Sequence, residues 1–350
     1  MPEIPAGEPA MLWVIIPFLG LSLLLYCLMA GADFGAGVLE IFMGRENRRA
    51  QRNIIDRALG PVWEANHIWL ILMVVILFMG FPTVYARVSI HLHLPLTAML
   101  MGVIARGCAF TFRHYDAKRG RSQRSYSFFF IWSSVWTPFC LGVVTGALVP
   151  GGIDPAAPGY LEGYVLPWWR PFPLALGAFT VCLFAFLAAV YLIGESPQGP
   201  VRRRFARRAA AASAAAVASG GMVFWAASRD GVDLAGRFAA SPWAAACVIA
   251  ATLCMPPLWM ALARERGWLA RGLAAGQVTL ILAAWFVVQF PVLVKLKGGG
   301  DLTFFNAHAP AATLDQLGWA LLVGAALILP ALAYLLRVFK TQGPEGEAGH

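Results

Sequence analysis

Nine apolar runs organise this sequence, near residues 11–43, 62–86, 91–112, 126–149, 171–194, 209–227, 241–263, 272–294 and 316–337. Most hold about 20–25 residues, enough for a helix rising ~1.5 Å per residue to cross ~30 Å of hydrocarbon. Backbone amides in lipid have no water to bond, so these runs are expected to be helices. Of the 350 residues, 59% are hydrophobic and 13% charged, which is more apolar surface than a soluble domain of this size can hide. The expected fold class is an all-α integral membrane protein with about nine transmembrane helices, a single membrane domain over 1–350. No soluble segment is large enough to fold alone.

The net charge of +9 does not point to nucleic acid, because the basic residues sit in short clusters between apolar runs, without a stripe of interleaved aromatics. Twenty of the 27 Lys and Arg residues fall on one side: those between Arg45 and Arg57, between Arg113 and Arg124, between Arg202 and Arg208, between Arg264 and Arg271, and Arg337 with Lys340. Six fall on the other: Arg87, Arg170, Arg229, Arg237, Lys295 and Lys297. That bias places the first set in the cytoplasm, the N-terminus outside and, after nine crossings, the C-terminus inside. Residues 1–10 carry Glu3 and Glu8 but no Lys or Arg, so no cleaved signal peptide is expected. Cys27, Cys108, Cys140, Cys182, Cys247 and Cys254 all lie in apolar runs without C-x-x-C spacing and read as small packing residues.

Two stretches of the first third depart from plain hydrocarbon spans. The end of the first run, Ala30-Gly31-Ala32-Asp33-Phe34-Gly35-Ala36-Gly37, combines glycines with an acid, which suits close helix packing around a buried site. Residues 44–60 are charged with Ile54, Ile55 and Leu59 at helical spacing, and read as a short amphipathic helix at the cytoplasmic surface. Pro61 then suits the start of the second span. Trp168 and Trp169 stand where an interfacial aromatic belt is expected.

Charge inside a membrane is costly, which singles out Asp33, Glu64, His67 and Arg106, with Glu40 and Glu195 nearer helix ends. Glu64 and His67 share a helix face at i, i+3 and read either as a proton relay or partner contact, or as a capped interfacial helix start. Glu-x-x-His also occurs in di-iron carboxylate sites, which need a second copy and two further inward-facing acids, whereas this chain has one copy only. His91, His93, His114 and His308 lie at helix ends or in loops, which leaves His67 as the histidine placed for haem ligation, against the plainer reading of a hydrogen-bonded structural residue. Asp33 and Arg106 are placed to form an ion pair, structural or on a proton path, unless Arg106 snorkels to the surface. Gln289 and Pro291 mark a kink or a ligand contact in the eighth span. There is no P-loop, dinucleotide fingerprint or nucleophile elbow.

The order of these blocks resembles subunit II of cytochrome bd-type quinol oxidases. The resemblance is carried by Gly31-Ala32-Asp33-Phe34-Gly35-Ala36-Gly37, the Arg-rich linker, and Gly60-Pro61-Val62-Trp63-Glu64-Ala65-Asn66-His67-Ile68-Trp69. Phe81-Pro82, Tyr85-Ala86 and Arg106-Gly107-Cys108-Ala109-Phe110, ending in Phe112-Arg113, continue it; beyond about residue 120 it rests on helix number and loop polarity. It implies two four-helix bundles, here 11–149 and 171–294, plus one peripheral helix, 316–337. It also implies a multi-pass protein of the bacterial inner membrane. The partner would be a haem-bearing subunit I that carries haem b, haem d and the quinol site, while this chain binds no cofactor of its own. The resemblance leaves room for a small single-helix accessory subunit and for a structural quinone or lipid. Quinol oxidation would be coupled to reduction of oxygen to water, without catalysis by this chain alone. Asp33 and Glu64 match family acids thought to bring cytoplasmic protons to the oxygen-reducing haem, and Trp63 and Asn66 match their neighbours. His67 and Arg106 complete the expected proton-path and interface set. Ala30 and Thr111 stand where the family often has acids, so the proton route differs here or serves a divergent oxidase. The other readings are a secondary transporter with Asp33, Glu64 and Arg106 as ligands, and a bd-like complex with another electron acceptor.

Overall fold

The computed structural model describes residues 7–43, 48–115 and 122–341; the side chains of Trp63 and Glu64 lie outside that description. The chain runs through α1 (Leu12–Ile41), α2 (Arg48–Gly80), α3 (Pro82–His91), α4 (His93–Tyr115), α5 (Ser122–Ala147) and the short α6 (Tyr160–Tyr164). It continues with α7 (Pro171–Glu195), α8 (Pro200–Arg229), α9 (Leu234–Ala240), α10 (Pro242–Leu253), α11 (Met255–Ala263) and α12 (Gly267–Gln289). A two-stranded antiparallel hairpin, β1 (Val292–Val294) and β2 (Leu302–Thr303), precedes the last helix, α13 (Ala311–Thr341). Among the described residues, eight helical spans are long and apolar enough to cross a membrane, or nine if the bent pair α2–α3 counts as one. This agrees with an all-α membrane protein of about nine spans.

Three boundaries differ from the expectation. The amphipathic segment is not a separate surface helix, at least from Arg48 onward. It is the first part of α2, which continues through Gly60 and Pro61, so Pro61 lies inside a helix rather than at its start. Ile55 and Ala58 explain this: both are buried in a cluster with Phe186 of α7 and Phe205 of α8, so the apolar face packs on protein instead of on a membrane surface. The run 62–86 is not straight, because the chain bends by 115° between Gly80 and Pro82. Proline at a first helical position fits a fresh helix start, which is how Pro82 is used. In the eighth span, α12 ends at Gln289, so Pro291 lies past the helix and kinks nothing.

Glycines set how closely the helices approach. A Cβ on Gly35 would stand 1.9 Å from the Phe184 carbonyl oxygen, and one on Gly31 2.5 Å from Leu187 Cδ1, so α1 and α7 touch nearly backbone to backbone. α1 also packs against α2 and α5; α4 lies on α5, α7 on α8, α10 on α12, and α13 on α1 and α2. Among the described residues, the arginines of these clusters lie at one end of the helices, whereas the hairpin, α6 and α9 lie at the other.

At that second end, Asp154 ties the loop after α5 to the hairpin. It accepts the Ala156 backbone N–H at 3.0 Å and pairs with Lys297 Nζ at 3.2 Å. The backbone hydrogen bond, more than the lysine, holds its carboxyl below the ordinary value of 3.8. A depressed carboxyl contributes stability above its unfolded value and loses it as pH falls through the folded one. The protection of the Lys297 amide relative to its intrinsic exchange rate, its N–H bonding the Ile153 carbonyl, should therefore fall only below the ordinary value and be unchanged across neutral pH.

Candidate functional site

The glycine-rich end of α1 is where the polar side chains converge. Asp33, Gly37 and Glu40 stand at i, i+4 and i+7 and so share one face, with the two acids roughly 10 Å apart along the axis. Around them lie two polar layers.

In the first layer, α1, α2, α4 and α5 each contribute one side chain. Arg106 Nη2 pairs with Asp33 Oδ1 at 2.6 Å, and its Nε donates to Oδ2 at 3.3 Å. The same Nη2 reaches the Asp33 carbonyl at 2.5 Å. Asn66 Nδ2 donates to Asp33 Oδ2 at 2.9 Å, and Arg106 Nη1 donates to Ser134 Oγ. The guanidinium lies 4.8 Å from the Phe34 ring centre and 4.4 Å from that of Phe130, a cation–π sandwich. Gly37 makes this possible, since a Cβ there would stand 2.0 Å from Ser134 Oγ and 3.2 Å from Arg106 Nη1. Asp33 and Arg106 are both 1% exposed, so Arg106 is buried in an ion pair rather than snorkelling.

The second layer repeats the first one heptad along. Glu40 lies seven residues beyond Asp33 on α1, Arg113 seven beyond Arg106 on α4, and Ser127 seven before Ser134 on α5. Glu40, with a fully buried side chain, receives Arg113 Nη2 at 2.8 Å and Arg52 at 3.1 Å. Arg52 also donates to Ser127 Oγ at 2.9 Å, and Arg113 reaches Asp56 at 3.3 Å. Arg113 lies 4.8 Å from the Phe130 ring centre, so that one ring joins the guanidinium groups of both layers. Each charge is compensated inside the protein, as buried charges must be.

The sequence singled out Asp33, Asn66 and Arg106, and the fold brings these three together. His67 is half-buried beside Asn66, with contacts of its own. Trp63 and Glu64 lie on the same helix, one turn before Asn66 and His67, with their side chains outside the described residues. Glu195 belongs elsewhere, paired with Arg271 at 2.7 Å. Glu40 proves central rather than peripheral. Arg52 and Arg113, which read as loop charges, are its partners. Ser127 and Ser134 gave no signal, because a serine in an apolar run normally bonds its own helix backbone. Ala30 is fully buried, and Thr111 is exposed and bonds the Gly107 carbonyl, so neither replaces an acid in these layers. At the junction of α3 and α4, His91 and His93 each donate Nδ1–H to a backbone carbonyl at 2.9 Å.

Next to the first layer are buried polar atoms without hydrogen-bond partners among the described residues: Asn66 Oδ1, Trp69 Nε1 and Thr137 Oγ1. Such atoms are the usual anchors of ordered internal water.

The spans and this compensated charge cluster define a polytopic α-helical membrane protein with a polar site inside its helices. The chain belongs to the cytochrome bd terminal oxidase subunit II family, whose sequence model matches residues 10–339. It is 25% identical over 316 residues to cytochrome bd ubiquinol oxidase subunit 2 of Bacillus subtilis (strain 168), covering 89% of this chain and 90% of that one. It is 28% identical over 184 residues to cytochrome bd-I ubiquinol oxidase subunit 2 of Escherichia coli (strain K12), covering 51% of this chain and 47% of that one. In structure it resembles a chain of the bd oxidase from Geobacillus thermodenitrificans, with a TM-score of 0.74, 22% identity, and coverage of 95% of this chain and 99% of that one.

Proposed function

We propose that this chain is the haem-free second subunit of a bacterial inner-membrane complex that oxidises quinol and reduces oxygen to water. It scaffolds a larger subunit I, which carries haem b, haem d and the quinol site, and it helps bring cytoplasmic protons to the oxygen-reducing haem. In this reading the arginine-rich end faces the cytoplasm, with the N-terminus outside and the C-terminus inside, as the bias of basic residues favours. Residues 11–149 and 171–294 are the two bundles, and 316–337 is the peripheral helix.

The observation that carries the reading is the first polar layer. One polar side chain from each of four helices converges within spans where charge is expensive, beside polar atoms with hydrogen-bonding capacity to spare. Roles divide by geometry. Both carboxylate oxygens of Asp33 accept from Arg106, and Oδ2 from Asn66 as well, so a proton placed there would leave the buried Arg106 without its compensating charge. Asp33 and Arg106 therefore act as a fixed charged post. Glu64, within one turn of Asn66 on α2, is the carrier, with His67, Asn66 and Trp63 lining its route.

Replacing Glu64 with Gln should slow quinol-driven oxygen uptake by roughly 10²-fold, the low end for loss of a proton-transfer group. Haem absorption and co-purification of the larger subunit should be unchanged, and Glu64→Asp should restore part of the rate. A full rate in Glu64→Gln would remove Glu64 from the proton route.

A further inference from the structure

A second polar site lies at the opposite end of the molecule. The hairpin, α9 and the far ends of α5 and α12 border a half-open cavity of about 170 Å³ lined by Arg237, Lys295, Asp233, Asp301 and Gln289. Two cations and two carboxylates share this space, yet among the described residues no ion pair within 4.0 Å joins them. The acids are positioned by the backbone instead. Asp233 caps α9 by accepting the Gly236 N–H at 2.9 Å, and Asp301 accepts the Leu296 N–H at 2.9 Å. Arg237 spends Nη2 on the Val288 carbonyl at 2.7 Å, which fixes the guanidinium at the cavity wall. Groups of opposite sign held apart around one space are complementary to a ligand that itself carries both signs.

The depth of the cavity says what kind of ligand can reach it. Exposed Trp169, Trp225, Trp243 and Trp319 all lie at this end of the helices, where aromatic side chains mark the headgroup level of a bilayer. Gln289 is the last residue of the span α12, so the cavity begins where the hydrocarbon-length helix stops.

We propose that this cavity holds the headgroup of a zwitterionic phospholipid, a phosphate diester bearing a primary ammonium. The phosphate is taken by Arg237 and Lys295, and the ammonium by Asp233 and Asp301. The Gln289 amide supplies a neutral hydrogen bond.

The test uses the oxidase complex purified in detergent, with retained lipid read by native mass spectrometry after exposure to phosphatidylethanolamine, phosphatidylglycerol or soluble phosphoethanolamine. Retention of phosphatidylethanolamine over phosphatidylglycerol is expected. Lys295→Gln and Asp233→Asn should each reduce it about tenfold, the worth of one charge-assisted hydrogen bond. Lys295 is exposed, and Asn caps a helix as well as Asp does, so both variants should fold. Unchanged retention in both variants overturns the proposal, as does equal retention of phosphatidylglycerol. Binding of soluble phosphoethanolamine without retained lipid would assign the site to a soluble ester and overturn the lipid assignment. The readout is bound lipid rather than turnover, so its outcome is independent of the Glu64 experiment.

Discussion

Replacing Asp33 with Ala is expected to destabilise the folded chain by ~3–5 kcal/mol, the usual cost of leaving one member of a buried ion pair uncompensated. The geometry argues for the upper part of that range. Arg106 is 1% exposed, two of its nitrogens contact the Asp33 carboxylate, and the rings of Phe34 and Phe130 close over it, so it cannot turn to solvent. The measurement is thermal unfolding of the purified complex, followed by loss of monodisperse protein. Replacing both partners, Asp33→Leu with Arg106→Met, should recover much of the loss, because a buried pair exchanged for apolar groups of similar volume is often neutral. The double variant also separates structure from function. If it folds but turns over slowly, the pair serves proton delivery as well as packing. If it folds and keeps its full rate, the fixed-post role assigned to Asp33 and Arg106 is wrong.

Gly35→Ala should be nearly as damaging, for a reason unrelated to charge. The added methyl would stand 1.9 Å from the Phe184 oxygen and 2.4 Å from its carbonyl carbon, and backbone atoms cannot move aside as a flexible side chain can. The two helices would have to separate, at a cost of ~3 kcal/mol, the upper end of ordinary overpacking. Gly20 on the same helix is the control: nothing lies within 4 Å of a Cβ built there, so Gly20→Ala should be neutral or slightly stabilising. Yield of folded protein and midpoint of thermal unfolding would decide. Equal behaviour of the two variants would contradict the close α1–α7 contact.

The two effects are linked, because successive faces of α1 do different work. Gly31 and Gly35 bring α1 against α7, while Asp33, Gly37 and Glu40 face α4 and α5. Losing the glycine contact would shift α1 and with it the post that holds Arg106.

The sequence by itself determined the class of the protein, the approximate number of its spans and the suspicion that fell on Asp33, Glu64 and Arg106. The reason is that lipid is an unforgiving solvent. It demands hydrocarbon-length apolar runs, and it makes any charge within them conspicuous. Only the tertiary structure decided which charges meet. That Glu40 gathers Arg52 and Arg113, that Ser127 and Ser134 stand a heptad apart opposite two arginines, and that Phe130 joins the two layers all depend on α1, α2, α4 and α5 facing one another. Arg52 and Arg113 look in sequence like ordinary loop charges, since nothing local distinguishes an arginine bound for solvent from one turned inward. The same holds for the segment from Arg48 to Gly60, whose helical pattern fits a membrane surface or a protein core equally well. Its destination was fixed by Phe186 and Phe205, more than a hundred residues away, which offered Ile55 and Ala58 a close-packed apolar surface.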